Sequence, residues 1–210
     1  MRRLVACLSA ACICLALAAC SSAPVRFYTL MPQTLAPASG HYQPLRHTQV
    51  RYIAVLPVTI PAQVDRPQMV VREGDSGVAL LDGERWIAPV GDEIRRALSA
   101  ELTQALGVPD VYGLAPPAGQ SVYRIKVNVT RFESVPGQYT LLVATWSVDA
   151  GSGAQSRAQC SSSIREPVGQ GYAALAAGQQ RGVQALAQAI AATLATMGHS
   201  APPSCTVSTG

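Results

Sequence analysis

Charge is scarce in this chain. Of 210 residues only 12 are acidic and 3 are histidine, and charged side chains make up 13%. The acids are scattered, so no carboxylate pair stands out for glycosidase-like acid and base work. No P-loop, dinucleotide fingerprint, HExxH helix or EF-hand loop occurs. Nor is there a CxxC or a nearby histidine pair of the kind that holds zinc. Neither a cofactor nor a metal is therefore expected. The formal net charge of +4 is too weak to point to nucleic acid. Internal repeats and long low-complexity runs are missing as well.

One string has a catalytic look. Gly74-Asp75-Ser76-Gly77 resembles the start of the trypsin-type nucleophile motif, but it continues with Val78 where that motif has glycine. A serine nucleophile needs a histidine base and an acid to orient it. His41, His47 and His199 fall in loop or tail segments, so the string reads as a glycine-rich loop. No catalytic residue is assigned and the chain reads as a non-enzyme. Asn128-Val129-Thr130 is a glycosylation sequon in form only, because it lies in an expected strand.

The N-terminus carries an apolar run. After Met1-Arg2-Arg3, the 16 residues from Leu4 to Ala19 carry no charge. They fall short of the roughly 20 apolar residues that span a bilayer comfortably, and they fit the apolar part of a signal peptide behind a basic start. The run ends in Leu17-Ala18-Ala19-Cys20, which resembles a lipobox: leucine, two small residues, then the cysteine that becomes the lipidated N-terminus. Acyl chains contribute about 0.8 kcal/mol per buried methylene, and two or three of them hold a protein on a membrane permanently. Residues 1–19 read as the signal and residues 20–25 as the lipidated N-terminus with a short stalk. The alternative is an ordinary secretory signal with a chance cysteine, and either way the chain leaves the cytoplasm.

Removal of the signal leaves 191 residues, with 14 basic against 12 acidic, a balance of +2. That length suits one domain. Cys7, Cys12 and Cys14 leave with the signal and Cys20 goes to lipid, so only Cys160 and Cys205 remain. In an oxidising compartment they are a candidate disulfide. Two thiols too far apart to meet are the alternative.

The pattern of the rest predicts a mixed α/β domain over residues 26–198 and an irregular tail over 199–210. A strand is expected at Arg26 to Met31, followed by a crossing loop from Pro32 to His47. Val50 to Val58 reads as a buried strand, central in its sheet. Short strands at Gln68 to Arg72 and Val78 to Leu81 precede an Asp82-Gly83 turn. Pro89 opens a helix in which Asp92 and Glu93 face the positive end of the dipole. Val90, Ile94, Leu98, Leu102 and Leu106 form its stripe, and Gly107 ends it. Two long antiparallel strands follow, Val122 to Ser134 and Gln138 to Ala150. A serine-rich edge strand is expected at Ala154 to Glu166. A second amphipathic helix runs from Tyr172 to Met197, with Gly178 and Gly182 weakening its first half. The expected architecture is thus a single compact domain, a mixed sheet with two main helices packed on it.

The order of these features resembles a known family, the ABC-type transport auxiliary lipoproteins of the paraquat-inducible protein C type. The resemblance rests on Arg26-Phe27-Tyr28-Thr29-Leu30 soon after Cys20, on Ile53-Ala54-Val55-Leu56-Pro57-Val58, and on Asp65-Arg66-Pro67-Gln68-Met69-Val70-Val71-Arg72. It continues through Glu84-Arg85-Trp86-Ile87-Ala88-Pro89, the strand Tyr123 to Phe132 and the strand containing Trp146. The chain departs from the family pattern in its Ala- and Gly-rich C-terminal half and in the Cys160 and Cys205 pair. The resemblance implies a non-enzymatic component on the periplasmic face of the outer membrane, held by lipid on Cys20. It would work beside a periplasmic protein with mammalian-cell-entry (MCE) domains and an inner-membrane permease, moving lipid between membranes. Ser21 after the cysteine resembles the outer-membrane sorting signal. A homo-oligomer is implied by analogy. Arg66, Pro67, Gln68 and Trp86 are the candidate partner or oligomer surface, since arginine and tryptophan anchor interfaces; the plainer reading is that Trp86 fills the core and Arg66 caps a loop. A stand-alone lipid carrier and a structural envelope lipoprotein are the alternatives.

Overall fold

The computed structural model describes residues 24–32, 50–115, 119–150, 157–197 and 206–209. Cys20, the stalk up to residue 23, most of the expected crossing loop, the three histidines outside the signal and Cys205 lie outside those residues.

The fold is mixed α/β, as expected, but its strands divide between two sheets. The smaller has the order β1 (Arg26–Tyr28), β4 (Gly77–Trp86), β3 (Gln68–Glu73). The larger runs β2 (Tyr52–Val55), β5 (Val122–Val135), β6 (Tyr139–Asp149), β7 (Arg157–Pro167), β8 (Thr206–Thr209). Helix α1 covers Val90–Leu106 and α2 covers Tyr172–Thr196. α2 lies over β6 and β7, and α1 packs against α2 and β2. One apolar core runs through both sheets and both helices, joined where Trp86 of β4 meets Phe132 of β5 edge to face at 6.2 Å.

The period-two alternation of β5 holds as written. Ile125, Val127 and Val129 are buried while Arg124 and Lys126 are exposed. A bulge between Val129 and Arg131 inserts an extra residue, after which Phe132 and Ser134 turn inward. Such an insertion changes which face a strand buries.

Four expectations need correction. β2 is an edge strand, not a central one. It is buried because the segment after α1 covers its free side: Ile53 N–H donates to Pro109 O and Val111 N–H to Ile53 O. Asp82-Gly83 is not a turn between strands, since β4 runs continuously through it. The irregularity lies in the pairing, which steps from Gln68 opposite Arg85 to Met69 opposite Leu81. β7 is not an edge, because β8 pairs with it in parallel from Ser161 opposite Thr206. That same strand makes part of the expected irregular tail regular.

The glycines that weaken α2 on propensity alone are explained by packing. A Cβ at Gly178 would clash with Val168 Cγ1 and come within 2.9 Å of Thr140 Oγ1, so α2 seats on the sheet there through its backbone. Beside it, Gln179 Nε2 donates to Glu133 O at 2.8 Å and Gln180 Nε2 to Thr29 O at 2.8 Å.

Candidate functional site

The motif strings turn out to be joints. Tyr28 donates its hydroxyl proton to Glu84 Oε2 at 2.7 Å, and Arg26 pairs with Glu84 Oε1 at 2.8 Å. Burial, with the Glu84 carboxylate beside it, raises the Tyr28 pKa above its ordinary 10.0. Glu93 is wholly buried and its Oε2 accepts from Thr29 Oγ1 at 2.7 Å and from Leu30 N–H at 2.9 Å. Its other oxygen makes no hydrogen bond and has the Arg96 guanidinium at 3.6 Å. The N-terminal strand is therefore bolted to the small sheet by Glu84 and to α1 by Glu93.

Asp65 plays the equivalent part for the second motif. Its Oδ1 accepts from Gly91 N–H at 3.1 Å, satisfying a donor at the helix start from 26 residues away where Pro89 offers no side-chain cap. Asp65, next to Arg66, thus caps the start of the helix. Asp110 gathers the far end of α1. Its Oδ2 accepts from Ser99 Oγ at 2.6 Å and Arg95 Nη2 at 3.2 Å, while Oδ1 accepts from Tyr112 N–H at 2.9 Å.

Of the candidate surface residues, Trp86 is 2% exposed. It cannot present a ring to a partner, and its place in the core against Phe132 is structural. Its N–H donates to Pro67 O at 2.6 Å, which pins the Arg66-Pro67-Gln68 segment above it. Arg66, Pro67 and Gln68 do reach the surface. The structure thus splits the four residues into a buried support and a three-residue outer segment.

That outer segment borders a groove of about 330 Å³ between the β3–β4 hairpin and the β5 bulge. Val70, Val78, Leu80 and Phe132 give it apolar walls, with Arg66, Arg72 and Arg131 around it. Arg131 grips Glu133 Oε1 at 2.8 Å and Arg72 approaches the same oxygen at 3.6 Å. Arg66 Nε and Glu133 Oε2 are buried and find no hydrogen-bond partner within the protein. Chemically the groove suits a ligand or partner segment with an apolar body and a hydrogen-bonding head. Sequence reading passed over Arg131 and Glu133, because the bulge that brings them to the groove has no local mark. Glu93 was legible in principle: it stands three residues after Val90 on the helix's apolar stripe, where a carboxylate must have a buried partner.

The Gly74-Asp75-Ser76-Gly77 string forms the tip between β3 and β4, where Arg72 Nη2 donates to Asp75 O at 2.6 Å. Among the described residues no group of three or more His, Cys, Asp or Glu side chains converges to hold a metal. No described helix is long and apolar enough to cross a membrane. Cys160, 6% exposed on β7, is disulfide-bonded.

The fold class is a small two-sheet α/β domain with its N-terminal strand at the edge of the lesser sheet. The family of ABC-type transport auxiliary lipoprotein components matches residues 28–191, and this chain belongs to it. Among solved structures, an uncharacterised protein superposes with a TM-score of 0.63 at 17% identity, over 81% of this chain and 98% of its own. A protein from Xanthomonas campestris gives 0.57 at 18% identity, over 82% and 95%. At these identities the likeness is one of fold. Comparison with curated proteins finds no match.

Proposed function

We propose that this protein is a non-enzymatic lipoprotein of the outer membrane, anchored by acyl chains on Cys20 and facing the periplasm. There it acts as the auxiliary component of an ABC-type system that moves lipid between membranes. Its partners are a periplasmic MCE-domain protein and the inner-membrane permease. The observation that carries this reading is family membership over residues 28–191. The joints described above support it, since the residues shared with the family pattern serve to hold a scaffold together and leave the Arg66-Pro67-Gln68 segment outward.

The groove favours a second reading, a carrier with its own lipid. Its volume of about 330 Å³ sits at the bottom of the range for small-molecule sites, roughly 300–1,000 Å³. A two-chain phospholipid needs more room than that, so the adaptor reading ranks first.

Affinity purification of the tagged, lipidated protein from membranes, with mass spectrometry of what comes with it, tests the two. An MCE protein and a permease are the expected companions. Abundant phospholipid with neither protein present would transfer the function to the carrier.

A further inference from the structure

Seven large hydrophobic residues are exposed among the described residues, and five of them lie in the small sheet or one residue beyond its strands: Val25, Phe27, Val78, Leu80 and Ile87. Register places them on one side. Phe27 lies opposite Arg85, and Ile87, whose N–H continues the ladder to Tyr28 O, shares the parity of Arg85. Val25 shares the parity of Phe27. At the other end of β4, Val71 opposite Ala79 and Met69 opposite Leu81 face the core, so Val78 and Leu80 face out. The irregular pairing at Asp82-Gly83 swaps parity between the two ends and keeps the outer face continuous. Phe27 is 62% exposed and Ile87 65%.

Large apolar side chains exposed together on one face mark an interaction surface. The position of this one decides what it meets. Cys20 lies only five residues before Val25, and five residues of fully extended chain reach at most about 18 Å. β1 runs parallel to β4, so Val25 precedes Arg26 on the side of the face toward Leu80 and Val78. Charge agrees with this placement. Arg85 stands on the face opposite Phe27, and Arg66 lies beside it, next to Pro67, whose carbonyl accepts from the Trp86 backbone N–H. Of the two carboxylates at the irregular step, Glu84 is buried and held by Tyr28 and Arg26, which leaves Asp82.

We infer that the outer face of the β1–β4–β3 sheet docks on the phospholipid surface that holds the anchor. Phe27, Val25 and Ile87 enter the interfacial layer, and Arg66 and Arg85 donate to lipid phosphates. This rests on the lipid anchor at Cys20 proposed above. Apolar side chains flanked by basic ones bind an interface through burial and charge together. The docked face leaves the long strands and both helices turned toward the periplasm.

The test uses the mature, lipidated full chain in phosphatidylethanolamine and phosphatidylglycerol vesicles, with and without brominated acyl chains. Trp86 and Trp146 are each 2% exposed and give a constant background. Phe27→Trp adds a reporter on the face, and Leu114→Trp adds one at an exposed apolar site away from it. About a twofold loss of the added emission is expected for Phe27→Trp with brominated lipid, as befits a side chain in the interfacial layer, and no loss for Leu114→Trp. Adding Arg66→Gln and Arg85→Gln to Phe27→Trp should reduce that quenching. Intact mass of the same samples reports acylation. Acylated protein in which Phe27→Trp is quenched no more than Leu114→Trp overturns the docking and leaves the anchor standing. A mass without acyl chains on Cys20 overturns both.

Discussion

Glu93 shows how much one side chain can carry. It has no exposure, and it accepts from two donors of the N-terminal strand. Replacing it with alanine strands the Leu30 N–H in a dry site, which costs about 1–3 kcal/mol for a buried donor. Glu93→Ala should therefore lower stability by about 2 kcal/mol in urea unfolding, while Glu93→Gln keeps an acceptor and most of the stability. Equal losses in the two variants would mean that the charge beside Arg96, not hydrogen-bond acceptance, is what matters. Glu101 acts in the opposite sense. Burial raises its pKa above the ordinary 4.5, so the folded state prefers the protonated carboxyl. That preference stabilises the fold below pH 4.5 and is lost as pH rises through the folded value. Glu101→Gln should raise the melting temperature at pH 7 by about 2 °C, a small effect because the group is half in solvent. The gain should vanish in scans below pH 4.5.

Elements that repeat a short period could be read from the sequence, and elements defined by their partners could not. The stripe of α1, its stop at Gly107 with φ of 67°, and the β5–β6 hairpin all have local signatures of spacing and turn chemistry. The parallel pairings of β1 with β4, β2 with β5 and β7 with β8 join remote segments. Nothing in a four-residue run such as Tyr52–Val55 states which strand it will meet, and that is why β2 reads as central and proves to be an edge. Of the candidate site, the Arg66-Pro67-Gln68 segment was legible and the β5 bulge opposite it was not.

The α2 glycines separate propensity from packing. Gly182→Ala meets only Leu142 Cβ at 3.8 Å, an ordinary contact, and should stabilise by up to about 1 kcal/mol through helix propensity. Gly178→Ala collides with Val168 and should cost about 1–3 kcal/mol as overpacking. Thermal unfolding of the two variants should move in opposite directions. At the other side of the larger sheet, Cys160 precedes Ser161, which lies opposite Thr206, and Cys205 precedes Thr206 in the sequence, so the two cysteines are the expected disulfide. Non-reducing peptide mapping should recover them joined, closing a loop with 44 residues between the two cysteines. In the chain-entropy account such a closure stabilises by about 4 kcal/mol. Cys160 joined to any other cysteine would reject that pairing.

At the scale of the whole molecule, the two sheets share one core. Trp86 sits in the smaller sheet against Phe132, and Trp146 in the larger with its Nε1 donating to Ser162 Oγ at 3.0 Å. If the core unfolds as a unit, Trp86→Phe and Trp146→Phe proteins, each with one reporter left, should both show fluorescence midpoints that coincide with their own circular dichroism midpoints. Separated midpoints would mean that the small sheet opens by itself.

The bolting of β1 has a mechanical side. With the lipid anchor proposed on Cys20, drag on the domain would reach the residues next to it, beginning with a strand of only three residues. Because β1 lies alongside β4, a pull along its axis loads the ladder in shear, with its hydrogen bonds sharing the force instead of peeling open in turn. The Glu84 and Glu93 contacts extend that shared load into the sheet and into a helix. A short strand can thus serve as a strain-relief fitting, the point at which a cable is clamped so that tugging never reaches the works inside.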